Sequence, residues 1–197
     1  MRFAGLILAA VLFAAGGHGQ ASQKQNRHGV RSESIHVHGH WVLEVRNLGG
    51  ALASRHEFEN SLVGPSLLAS ILTGGNSVGN WEILLTMASG TSPSNIFPIY
   101  QSSPCTLTNC STPLAVTTTQ SGQIILQGTT IAITSAAAGP MSSVGTYLVT
   151  CAAGTSPTSC KTTSPSSSNV TELTGASNTT YVEAGQTVTV TVTLSFS

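Results

Sequence analysis

Charge is scarce in this sequence. Lys, Arg, Asp and Glu make up 7% of its 197 residues, and the formal net charge is zero. Soluble domains ordinarily carry roughly 25% charged residues. No basic stripe exists to gather phosphates, so no nucleic-acid partner is expected. A neutral surface also steers partners weakly. Aspartate is absent altogether, and His56 is the last histidine. With no Gly-x-Ser-x-Gly elbow either, a Ser-His-acid triad has little to draw on. Phosphate loops and dinucleotide fingerprints are missing, and no cofactor is expected. Aromatic residues are only 5%, too few for the girdles of an outer-membrane barrel.

What charge there is lies early. After Ser61 the charged residues are Glu82, Lys161, Glu172 and Glu183. At the start, Arg2 heads an apolar run from Phe3 to Ala15, followed by the small residues Gly16-Gly17 and Gly19-Gln20-Ala21. This is signal-peptide grammar with cleavage near Gly17 or Ala21, and the run is too short for a membrane span. Residues 1–21 are read as a signal peptide, 22–34 as a flexible polar leader, and 35–197 as one domain. The mature chain is expected to be secreted or at the cell surface, in the periplasm or outside, with no membrane span. Its cysteines fit that address. Four cysteines allow three pairings. The local one, Cys105 with Cys110 and Cys151 with Cys160, is favoured because each pair flanks a Ser/Thr/Pro-rich turn. Zinc is the rival reading, but the spacings match no common finger or ribbon.

Alternation is what the chain has in abundance. Val188, Val190, Val192, Leu194 and Phe196 fall on one side, with Thr189, Thr191, Thr193, Ser195 and Ser197 on the other. That is the period of a half-buried strand. Near the start, 35–46 sorts Val37, Gly39, Trp41, Leu43 and Val45 from His36, His38, His40, Val42, Glu44 and Arg46. Asn47-Leu48-Gly49-Gly50 is turn chemistry, and a second strand is predicted over 51–59. Pro65, the stripe Leu67, Leu68, Ile71 and Leu72, and the stop at Gly74-Gly75 predict one short helix. A buried strand follows over 81–87, then a long loop over 88–113. Short strands are predicted over 114–119, 123–127, 130–136, 145–152, 170–173 and 179–183. The sum is an all-β sandwich, jelly-roll or immunoglobulin-like, with one short helix. The closing apolar row is expected to pack beside Trp41, Leu43 and Val45.

Few groups could carry chemistry. His36, His38 and His40 alternate on one strand face, roughly 7 Å apart from the strand rise, and imidazole binds zinc, copper or nickel. The plain alternative is a solvent-facing strand. Glu57 and Glu59 share a face with Arg55; carboxylates about 5–10 Å apart serve glycoside hydrolysis only inside a cleft. Cross-strand pairing with Glu44 and Arg46 is the simpler expectation. Trp81, Tyr100, Tyr147 and Tyr181 are candidates for stacking on sugars. Asn109-Cys110-Ser111, Asn169-Val170-Thr171 and Asn178-Thr179-Thr180 match the N-glycosylation pattern.

Three stretches carry a resemblance. They are Gly39-His40-Trp41-Val42-Leu43-Glu44-Val45-Arg46, then Glu57-Phe58-Glu59-Asn60-Ser61-Leu62-Val63 before a helix, and Glu183-Ala184-Gly185-Gln186-Thr187-Val188 leading to Leu194-Ser195-Phe196-Ser197. In these the chain resembles small bacterial and phage-encoded structural proteins of the tail or tail-fibre accessory kind. The middle is unmatched, and a signal peptide and cysteines depart from a virion protein. The resemblance implies a secreted relative with a structural role. The expected function is a non-enzymatic structural, adhesion or assembly module at the cell exterior, with self-association or a cell-surface or glycan partner. A carbohydrate-binding module is the alternative; an enzyme built on Glu57 and Glu59, and an outer-membrane barrel suggested by the closing strand with Phe196 near its end, rank below it.

Overall fold

The structure is a computed structural model that describes residues 36–61, 65–102, 108–111, 113–160, 166–174 and 180–197. The signal-peptide and leader readings, Cys105 and Asn178 lie outside these residues. Of the flanking positions, Val37–Arg46 forms β1 and Thr187–Phe196 forms β10, and strict alternation makes them partners. They pair antiparallel through ten positions, from Val37 opposite Phe196 to Arg46 opposite Thr187, without a shift. Trp41, Leu43 and Val45 meet Val192, Val190 and Val188, and all six are buried. Trp41 stacks on Phe58 with ring centroids 5.6 Å apart, and its Nε1–H donates to Asn60 Oδ1 at 2.9 Å. A buried indole thus keeps a polar partner.

β2 (Leu52–Ser61) returns beside β1 through the Asn47–Gly50 turn, where Gly50 adopts φ 81°. β5 (Ala115–Thr118) and β6 (Ile124–Thr129) complete the first sheet in the order β2-β1-β10-β6-β5. The second sheet runs β4 (Ile96–Tyr100), β3 (Asn76–Met87), β7 (Gly139–Ala152), β8 (Ser166–Thr174), with β9 (Tyr181–Val182) on the start of β7. Its inward face supplies Ile83, Leu85, Phe97, Ile99 and Val144 to the core between the sheets. The fold is an all-β sandwich. The apolar row of β10 faces this core up to Leu194, and its hydroxyl face is half-buried.

α1 (Pro65–Leu72) ends at Gly74, φ 72°, where the Gly75 N–H returns to the Ser70 carbonyl at 2.8 Å. The single-helix expectation is incomplete: α2 (Pro157–Cys160) lies in the stretch read as irregular. Ser156 caps it, accepting from the Ser159 N–H at 3.2 Å, with proline at the first helical position. The loop over 88–113 contains β4, despite Pro98. The Pro98 carbonyl accepts from the Ser111 N–H on the side away from β3. The missing N–H points that way too, so the ladder to β3 loses nothing. The strand over 130–136 is absent; past Thr129 the chain keeps separate bonds, Thr130 N–H to Val188 O, Ile133 N–H to Gln186 O and Gly185 N–H to Ile133 O. The Gly185 turn ends β10 there, so no continuous ladder forms. Phe196, placed in the buried row, is 45% exposed.

Candidate functional site

Three surfaces and one cavity collect the groups that chemistry could use. On the outer face of the first sheet, β1 and β2 hold the charges. Glu44 pairs with Arg46 at 2.6 Å and His40 Nδ1 lies 2.6 Å from Glu59 Oε1. Arg55 pairs with Glu57. Glu44 also faces Arg55 across the strands. Glu57 and Glu59 therefore stand on an open sheet face, each beside a basic partner. His36 and His38 stack with centroids 6.3 Å apart. The three alternate histidines span roughly 13 Å of strand, whereas a zinc–nitrogen bond is about 2.0–2.1 Å. They do not converge on one point, and among the described residues no group of three or more His, Cys, Asp or Glu is placed to hold a metal.

The other half of this face is uncharged. Thr129 and Thr189 hydroxyls lie 2.9 Å apart, and Gln127 Nε2–H donates to Thr191 Oγ1 at 3.2 Å. β10 and β6 thus present a lateral hydroxyl and amide ladder. β10 itself is flanked on both sides, so no free edge of this strand remains for strand addition.

The second sheet's outer face carries a different arrangement. Glu82 lies between Tyr100 on β4 and Tyr147 on β7 in one cross-strand row. Burial pushes the Glu82 carboxyl above the usual carboxylate range. Burial, and next the Glu82 carboxylate, push the Tyr100 phenol up. Of the four aromatic candidates these two come together. Trp81 faces inward against the core, and Tyr181 stands apart on β9, 63% exposed. Four residues further along β7 the Cys151–Cys160 disulfide ties α2 to that strand, with Cα atoms 5.7 Å apart. Cys160 is fully buried over Gly79, where an added Cβ would come 3.1 Å from its sulfur. Cys110 is also disulfide-bonded. Asn109 is buried and donates through Nδ2 to the Ser94 carbonyl at 2.7 Å. Glycosylation there would need that nitrogen free.

At one end of the sandwich, beneath α1, lies a cavity of about 150 Å³. Leu67, Leu68 and Ile71 roof it; Val37, Leu194 and Phe196 close one wall, and Trp81, Val78 and Leu148 another. A register shift between Val78 and Trp81 lets both face inward although they are three residues apart. No family model, curated protein or solved structure matches this chain.

Proposed function

We propose that this protein is an exported, non-enzymatic adhesion or structural module that works through the broad outer face of its first sheet. The observation that carries this reading is the self-satisfied character of that face. Glu44 and Glu57 pair with Arg46 and Arg55, Glu59 lies against His40, and the threonines and Gln127 bond to one another across β6 and β10. Five strands at about 4.8 Å spacing and roughly 30 Å of strand give an area on the order of 600 Å². That approaches the roughly 800 Å² per partner of a standard interface. Such a face suits many weak hydroxyl contacts to a surface or a second copy. The disulfide supports an oxidising compartment, in keeping with the signal peptide and a structural role akin to the tail-fibre accessory proteins. The test is sedimentation velocity and surface retention of residues 22–197 beside a Thr129→Lys/Thr191→Lys variant. Concentration-dependent oligomers or retention, lost in the variant, are expected. A strict monomer that binds no surface, glycan or partner contradicts the reading.

A carbohydrate-binding module is the second reading, favoured by the Tyr100–Glu82–Tyr147 row. Two rings roughly 10 Å apart, from strand spacing, flank a carboxyl that can accept from sugar hydroxyls. Glycan-array signals lost in both Tyr100→Ala and Tyr147→Ala would favour it. A blank array removes it.

A further inference from the structure

We propose that the cavity beneath α1 is a binding site for a single hydrocarbon chain, such as the tail of an alkanol or fatty acid, with the polar head left in solvent. Among the described residues, every side chain that lines the cavity is apolar. A void of this size and lining stays dry and accepts a guest as large as benzene. It therefore has room for on the order of six carbons. Its lining excludes a peptide, whose buried N–H and C=O groups would find no partner.

The cavity also leads outward. Leu68 and Phe196 line both the interior and an apolar mouth completed by Leu72 and Ser197. Leu72 is 65% exposed and Phe196 45%. This apolar strip, continuous from interior to surface, suits a long thin guest entering end-on, and it explains why the last apolar residue of β10 is not covered. Among the described residues no charged side chain lines the mouth.

A series of 1-alkanols from propanol to decanol, titrated calorimetrically into residues 22–197, tests this. One site is expected, tightening roughly fourfold per methylene and levelling once the cavity is filled. A bromine-terminated alkanol should quench Trp81, which lines the site, and Trp81→Phe should abolish that quenching while Trp41 emission persists. Leu68→Phe, which fills the void, should weaken binding at least tenfold. No binding up to the solubility limit overturns the proposal, as does affinity that climbs with length without levelling. A folded Leu68→Phe protein that binds like the parent also overturns it. If that variant does not fold, the quenching on the parent protein decides: quenching that persists in Trp81→Phe places the chain elsewhere. None of these outcomes touches the first sheet's outer face, so failure here is distinct from failure of the adhesion reading.

Discussion

β1 and β10 pair through ten positions without a shift, whereas β3 and β7 slip twice and β7 and β8 once. In the first sheet the β1–β2 ladder shifts once, between Val45 and Arg46 at its end, and the long runs in register sort side chains into an apolar inner face and a polar outer one. In the second sheet the slips re-aim individual residues. One turns Val78 and Trp81 together into the cavity, and the Gly79 backbone beside it makes room for α2 and the disulfide. Regular pairing thus yields a broad repetitive surface, and irregular pairing yields discrete features that fit one ligand. The same division separates the reading of adhesion from that of specific binding.

The comparison breaks most completely by removing β10. A chain truncated after Thr187 loses Val188, Val190, Val192 and Leu194, each fully buried. At about 1.5–3 kcal/mol per large side chain, it should not fold, and circular dichroism should show no cooperative melt. A soluble, cooperatively melting product would mean that the first sheet does not depend on its centre. The two tryptophans sharpen the contrast next. Trp41→Ala, in the regular sheet, should cost about 3–5 kcal/mol in urea unfolding. Trp81→Ala, half-buried beside an existing void, should cost about half as much. Equal losses would contradict the difference in packing.

Loss of the disulfide should rank third. Cysteines nine positions apart close a small loop, so Cys151→Ser/Cys160→Ser should cost about 2.5 kcal/mol by chain entropy. The loss should be confined to the second sheet: hydrogen exchange should quicken in α2 and the start of β3, and stay slow in β1 and β10. The smallest effect concerns Glu82. Burial raises its folded pKa, so the folded state favours the protonated form. Its contribution is complete below the unfolded carboxyl pKa and is lost as pH rises through the folded one. Glu82→Gln should therefore stabilise the protein at pH 7 by about 0.5 kcal/mol, discounted for partial exposure. The gain should vanish near pH 4, as urea melts at the two pH values will reveal.

The first sheet was largely legible in the residues themselves. Alternating Val and Thr, and alternating Trp41, Leu43 and Val45 with polar neighbours, place β1 and β10 almost to the residue. The face of His36, His38 and His40 also followed from parity, as did that of Arg55, Glu57 and Glu59. The second sheet was not legible to the same degree. Pro98 disguised β4, because whether proline harms a strand depends on which side lacks a neighbour. The alternation over 130–136 looked like a strand, but pairing ends where its partner turns at Gly185. The Tyr100–Glu82–Tyr147 row depends on register between strands distant in sequence, and no local pattern encodes it. The cavity is harder still. Its lining reads as ordinary core, and the void arises only from how α1 lies across the strand ends.

The most direct test sets the two outer faces against each other. Residues 22–197 would be compared with a Thr129→Lys/Thr191→Lys variant on the first sheet and a Tyr100→Ala/Tyr147→Ala variant on the second. Sedimentation velocity over a wide concentration range, with retention on cell surfaces, is the readout. The parent and the second-sheet variant should associate or be retained alike, and the first-sheet variant should stay monomeric and unbound. Loss confined to the second-sheet variant, or no association or retention in any of the three, would contradict the account.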